Sequence, residues 1–179
     1  LDPELIKLAN KECLLSSTYE PSSKTKMKLR AAPGAGTMYL QSECAEALAE
    51  LFAGAEEAGY KLYLKSAYRA YKTQKTMYNN RLERNNGKDD GWVSKPGASD
   101  HQTGLGYDVV PGSWKDKSMN SNMASTPECQ WMAEHCYEYG FVIRYPEDKQ
   151  DITEINYEPW HLRYVGKEVA RYIWRNGLC

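Results

Sequence analysis

The chain has no apolar run near the roughly 20 residues that a membrane helix requires, no Cys-x-x-Cys pair and no surplus of charge. The first absence excludes a helical membrane span within the sequence. The second argues against a cysteine-ligated zinc site or a thioredoxin-like redox motif. Lysine and arginine total 23 against 24 acids, a formal net charge of −1. The balance removes the electrostatic footprint of a nucleic-acid or anionic-membrane binder. Leu1 opens no signal-peptide pattern, so the expectation is a piece trimmed from a longer precursor. Phenylalanine occurs twice against fourteen tyrosines and five tryptophans, and histidine three times.

Two of those histidines fall in two short segments that also carry acids: Ser99-Asp100-His101-Gln102-Thr103-Gly104-Leu105-Gly106-Tyr107-Asp108 and Glu158-Pro159-Trp160-His161. His101 and Asp108 are seven apart, so on one continuous strand they would point to opposite faces. A shared target therefore requires a turn or bulge between them, which Gly104 and Gly106 permit. Leu105, Tyr107, Val109 and Val110 read as the strand leaving that turn. In the second segment Pro159 keeps Glu158 and His161 out of a helix interior, so the pair sits on a turn or a helix start, unlike the helical His-Glu-x-x-His of many zinc proteases. Two neutral imidazoles and one carboxylate form a three-ligand set of the kind zinc accepts, with a fourth position open for water. One carboxylate is left to serve as a general base.

The pattern Ser-x-His-x-x-Gly-x-x-x-Asp, followed by Glu-x-x-His with tryptophan before the last histidine, resembles the zinc D-alanyl-D-alanine carboxypeptidases of the VanY type, within the wider group of lysostaphin-like and hedgehog-like metal sites. The likeness extends from about Tyr19 to about Trp174 and includes Ser66-Ala67-Tyr68-Arg69-Ala70-Tyr71-Lys72-Thr73-Gln74 and Tyr139-Gly140-Phe141-Val142-Ile143-Arg144-Tyr145-Pro146. The resemblance implies that His101, Asp108 and His161 bind Zn2+ and that Glu158 is the catalytic base. It implies that Arg69 faces the scissile carbonyl or the substrate carboxylate, with Gln74 and Ser99 as further substrate contacts; Trp160 is expected to pack its ring beside the site and contact substrate there. It also implies an extracellular or cell-surface location in a bacterium.

The chain fits one α+β domain with a small, mostly antiparallel sheet flanked by helices, and at this length about two thirds of the unfolded surface can be buried. Residues 1–40 read as an N-terminal arm packed on a catalytic domain at 41–179, with a short helix over Pro3–Lys11. The arm's Ser23-Lys24-Thr25-Lys26 formally matches the Ser-x-x-Lys of serine-type penicillin-binding enzymes. No apolar helix follows it and neither partner motif occurs downstream, so it is a chance match.

Periodicity predicts a helix over Ser42–Ala58 with Ser42 as cap and Gly59 as stop, an alternating strand over Tyr60–Ser66, and a helix from Tyr71 to Glu83 that places Gln74 on its first turn. The polar loop from Lys88 to Ala98 is expected to form a mobile rim over the site, and the segment from Gly112 to Ser125 a second surface excursion. Ser125-Thr126-Pro127-Glu128 opens another helix, on whose apolar stripe His135 reads as a satisfied core histidine rather than a ligand. Strands are expected at Phe141–Tyr145 and Ile152–Tyr157, and a closing amphipathic helix at Leu162–Asn176. Cys13, Cys44, Cys129, Cys136 and Cys179 either form up to two disulfides or stay free. Cys129 and Cys136 would lie about 10 Å apart on one helix, too far to bridge each other.

The function expected is release of the terminal D-alanine from peptidoglycan stem peptides by a monomeric enzyme. L,D-carboxypeptidase or D,D-dipeptidase action of the same family is the near alternative. From other classes, a non-haem iron oxygenase would share the two-histidine, one-carboxylate set. The His101–Asp108 spacing and the spare Glu158 count against it. A binding module that has lost catalysis would be expected to lack a ligand or the base, and all four residues are present.

Overall fold

Tyr107 and Val109 alternate with Asp108 and Val110 along β4 (Gly106–Pro111), and this period of two divides the domain into a core side and a site side. In the computed structural model, which describes residues 2–179, β4 lies inside a four-stranded antiparallel sheet of order β3-β4-β6-β5. Strand β3 is Leu62–Ser66, β5 is Phe141–Ile143 and β6 is His161–Tyr164. The register sets Leu64 against Val109, Tyr107 against Leu162 and Phe141 against Tyr164, so these residues share the core face.

Helix α1 (Ala45–Glu57) covers that face with Leu48, Leu51, Phe52 and Ala55, all buried in one cluster with the strand residues. Each leucine-sized side chain buried there contributes roughly 1.5–3 kcal/mol of transfer free energy. The α+β architecture with a small antiparallel sheet is the one expected from sequence.

Three predicted helices hold with shifted ends, as do the strands expected at Tyr60–Ser66 and Phe141–Tyr145. A 3-10 turn at Ser42–Cys44 precedes α1, and Ser42 does not cap it, because its hydroxyl bonds Thr25 Oγ1 at 2.5 Å. That bond ties the helix entry to a hairpin of β1 (Thr25–Lys26) and β2 (Tyr39–Leu40). Helix α2 is Tyr71–Arg84 with Gln74 buried, and α3 is Pro127–His135, capped by Thr126, whose hydroxyl accepts from the Cys129 N–H at 3.3 Å.

Four expectations fail. Residues 3–6 form a turn and 7–11 run irregularly, with no helix, and the carbonyls of Leu5 and Lys7 accept from Arg163 instead of continuing a helical ladder. Ile152–Tyr157 is not a strand: a short helix α4 (Gln150–Thr153) ends at Glu154, whose φ of 55° stops an extended run. The closing helix α5 begins at Lys167, because His161–Tyr164 serves as inner strand β6 and Gly166 turns the chain with φ 84°. His135 is not a core residue. Its side chain is half-exposed, stacked on Trp131 and paired with Glu138 at 2.8 Å. All five cysteines are free.

The N-terminal segment wraps the sheet and joins it. Leu64 N–H donates to the Arg30 carbonyl and Ala32 N–H to the Leu64 carbonyl, both at 2.8 Å, so residues 30–32 lie along the outer edge of β3. The loop from Lys88 to Ala98 lies over the site side, tied by Arg81 to Asp90, by Asn156 to Gly91 and by Leu15 to Gly97.

Candidate active site

On the site side of the sheet Asp108 lies directly opposite His161 in the β4–β6 ladder. Antiparallel neighbours on one face have Cβ atoms about 4.5–5.5 Å apart, so the register alone brings a carboxylate and an imidazole together. His101 comes from a 3-10 turn at Asp100–Thr103, which Gly104 ends in the left-handed region at φ 73°. That reversal folds the segment back over β4 and solves the parity problem of a seven-residue spacing.

A bulge between Leu64 and Ser66 turns β3 out of its ladder, and the Ala67 carbonyl beyond it accepts the Nδ1–H of His101 at 2.7 Å. His161 is held the other way round. Its Nε2–H donates to Asp100 Oδ1 at 2.8 Å, leaving Nδ1 turned inward.

The inward atoms converge. His101 Nε2 lies 3.2 Å from Asp108 Oδ1, and His161 Nδ1 lies 3.6 Å from the same oxygen. The three ligand atoms all fall within 4.8 Å of one another, and all three residues are buried. Tetrahedral zinc bonds of about 2.0–2.2 Å would set neighbouring ligand atoms roughly 3.3–3.6 Å apart. The donor types, the spacing and the engaged outer nitrogens thus fit a zinc ion at this point.

At His101 and Asp108 charge points the same way, whereas His161 holds a proton that a metal would have to displace. Burial and the Arg69 guanidinium lower the pKa of His101, favouring the neutral ring that a ligand must be. Burial would raise Asp108, but His101, His161 and Arg69 outweigh it and hold the carboxyl below its usual range. Burial would lower His161, yet Asp100, Glu158 and Asp108 outweigh that and push it up to about 10.

Glu158 stands beside this cluster, its Oε2 3.3 Å from His161 Nδ1. Its backbone is fixed by a bond from its own N–H to the Tyr145 carbonyl and another from the His161 N–H to its carbonyl. Burial pushes its pKa up, against the lowering effect of His161. Arg69 is aimed at the cluster by two acceptors, Gln74 Oε1 and Ser66 Oγ, each at 3.0 Å, and its Nη2 lies 3.7 Å from Asp108 Oδ2. Gln74 is itself anchored through its Nε2–H to the Ser94 carbonyl. The Ser99 hydroxyl accepts from the His101 N–H at 3.3 Å and keeps its own proton free to donate. All eight residues singled out for zinc, catalysis and substrate, Trp160 among them, line one cleft of about 350 Å³.

Sequence reasoning missed several parts of this cleft. Met119 and Asn120, from the excursion after β4, reach its wall, as do Met77 and Tyr145. Trp92, from the Lys88–Ala98 loop, stacks its ring on Trp160 with centroids 6.4 Å apart and planes 16° from parallel. Asp100, which precedes His101 in the first segment, has no role that the sequence pattern alone assigns. An acid directly before the first ligand was the available signal.

Against known proteins, the model of the family described as VanY, D-alanyl-D-alanine carboxypeptidase, matches residues 37–167. The chain is 39% identical over 181 residues to YodJ of Bacillus subtilis (strain 168), which bears a provisional carboxypeptidase name. That alignment covers 99% of this chain and 66% of the relative, so the chain spans just under two thirds of its length. Among solved structures, the LdcB LD-carboxypeptidase superposes with a TM-score of 0.90 at 39% identity, over 99% of this chain and 84% of that one. The vancomycin resistance D,D-pentapeptidase VanY, solved with Zn(II), gives 0.77 at 27% identity, over 98% and 96%.

Proposed function

The chain belongs to the VanY family of carboxypeptidases, and from that premise we propose that it is a zinc-dependent enzyme releasing the terminal D-alanine of peptidoglycan stem peptides. The observation that carries the reading is the convergence of His101 Nε2, Asp108 Oδ1 and His161 Nδ1, with Glu158 at their side, on the floor of an open cleft.

His101, Asp108 and His161 would hold the metal. When bound, zinc supplies Lewis acidity that polarises the scissile carbonyl and acidifies an attacking water. Glu158 takes the proton from that water and returns it to the departing amine, a task suited to a carboxylate whose pKa burial has raised. Arg69, prevented by Gln74 and Ser66 from swinging away, meets the negative charge of the substrate carbonyl or terminal carboxylate. Ser99 donates its free hydroxyl proton to the peptide, and Trp160, backed by Trp92, forms the wall along which the stem lies.

The family description supports scission between two D-alanines. A second reading, L,D scission of a tetrapeptide stem, is favoured by the closer likeness to LdcB: 39% identity and 0.90 against 27% and 0.77 for the D,D-pentapeptidase. Both remove one D-alanine. Incubation with defined tri-, tetra- and pentapeptide stems, with and without a chelator, followed by mass spectrometry, separates them. Loss of D-alanine from the tetrapeptide alone assigns L,D action, and from the pentapeptide alone D,D action. No product from any stem refutes both.

The substrate implies a bacterial extracellular or cell-surface setting, and no helix of the described residues is long and apolar enough to cross a membrane. Within this reading residues 1–40 are an arm supporting a catalytic domain at 41–179, and the enzyme acts as a monomer.

A further inference from the structure

Beneath the cleft floor lies a buried ion pair that the reaction itself does not use. Asp100 is 0% exposed and Arg163 only 4%. Arg163 stands two residues after His161 on β6, on the same face, and pairs in register with Gly106 of β4. The Asp100 carboxylate lies over that glycine. A Cβ at position 106 would fall 2.6 Å from Asp100 Oδ1 and 2.9 Å from its Cγ. One oxygen, Oδ1, accepts the His161 Nε2–H at 2.8 Å. The other, Oδ2, has no hydrogen-bond partner among the described residues and lies 4.0 Å from Arg163 Nη1.

Arg163 is in turn fixed by carbonyls: Tyr164 through Nε at 3.0 Å, and Leu5 and Lys7 of the N-terminal segment through Nη2 at 3.0 and 2.8 Å. Burying a carboxylate costs several kcal/mol unless a positive partner offsets it. The fold accepts that cost at Asp100 and leaves one of its oxygens without a hydrogen bond. Among the described residues its only side-chain hydrogen bond goes to the ring nitrogen of His161 that faces away from the cleft.

We propose that Asp100 is the positioning residue for His161: it fixes the ring so that Nδ1 faces the metal point, with Arg163 holding the carboxylate charged and Gly106 giving it room. The inference rests on the reading that His161 Nδ1 is a zinc ligand. Asp100 touches neither substrate nor metal. It acts by making the inward nitrogen the lone-pair nitrogen and by raising its basicity, as outer carboxylates do for ligating histidines.

Zinc affinity, measured by competition with a chromophoric chelator, and the visible d–d bands of the cobalt(II)-substituted protein test this without recourse to turnover. Three variants serve: Asp100→Asn, Asp100→Leu and Gly106→Ala. The last keeps every site side chain and every charge but crowds the Asp100 carboxylate and, at 3.0 Å, the His101 backbone nitrogen, so its effect is read together with that of the Asp100 variants. Asparagine still offers an oxygen acceptor, so about tenfold weaker zinc binding is expected there, about 100-fold for leucine, and tenfold or more for Gly106→Ala, with shifted cobalt bands in the last two.

Near-native binding and unchanged bands in both Asp100→Leu and Gly106→Ala overturn the proposal. Should the leucine variant fail to fold, the isosteric asparagine and the glycine substitution still decide it. A wild-type protein that binds no zinc refutes the metal reading and this inference together. Tight wild-type binding with undiminished variants removes Asp100 alone.

Discussion

Asp108 on β4 and His161 on β6 are cross-strand partners, and the distance of 3.6 Å between the Asp108 Oδ1 and the inward nitrogen of His161 follows from sheet register. A one-residue slip of either strand would carry one of them to the core face. The site is therefore as rigid as the sheet centre, and substitutions in it separate into loss of metal, loss of proton transfer and loss of charge stabilisation.

Replacing Glu158 by alanine or glutamine should cost about 10²- to 10⁴-fold in kcat, the range for a positioned general base. Zinc content by elemental analysis and the unfolding midpoint should stay near wild type, because Glu158 lies beside the ligand cluster and is not one of its three members. Undiminished turnover would remove Glu158 from the mechanism and leave the attacking water without its assigned base.

His161→Ala should abolish stoichiometric zinc binding, since it deletes one of three ligands. Chelation of the wild-type protein should silence it, with recovery on adding zinc. Recovery by ferrous iron with 2-oxoglutarate, and none by zinc, would turn the assignment toward an oxygenase.

Arg69→Lys keeps the charge but loses the fork that donates to both Gln74 and Ser66. A fall in kcat/KM of roughly 10²- to 10³-fold is expected, with zinc retained. Steady-state kinetics on the preferred stem peptide measures it, and a change below threefold would show that the guanidinium is not at the reacting carbonyl.

Zinc affinity should depend on pH. His161 in the metal-free protein is pushed up to about 10 by Asp100, Glu158 and Asp108. Because a ligand imidazole must be neutral, zinc displaces that proton, and affinity should rise as pH increases toward 10, by up to about tenfold per unit. Calorimetry in two buffers of different ionisation enthalpy counts the proton released, and a flat profile from pH 6 to 9 would contradict the charge balance described.

Gly54 tests packing against propensity. In the interior of α1 alanine should be favoured by about 0.5–1 kcal/mol, yet a Cβ there would sit on the Tyr139 hydroxyl. The overlap is expected to win, with Gly54→Ala destabilising by about 1–3 kcal/mol in chemical denaturation.

Much of this was legible in the residues. The stripe Leu48, Leu51, Phe52, Ala55 shows which face of α1 is buried, and Leu62 and Leu64 alternate as a half-exposed strand must. The pairing of His101 with Asp108 required a reversal, and Gly104 supplies it. His161–Tyr164 was hidden because four residues of strand run without an internal breaker toward an amphipathic helix, and Gly166, the separator, reads as an interior glycine. Ile152–Tyr157 has the composition of a strand, but its first two residues close helix α4 and Glu154 turns the chain at φ 55°. Met119 and Asn120 reach the cleft only through tertiary folding of a polar excursion, which no local pattern encodes.

Residues 30–32 occupy the flank of β3 that would otherwise present the amide and carbonyl of Leu64 to any passing strand. Bare flanks of this kind template the pairing of one molecule with the next. The N-terminal segment therefore also acts as a guard against self-association, and cutting it away should produce light-scattering aggregates even where the sheet beneath stays folded.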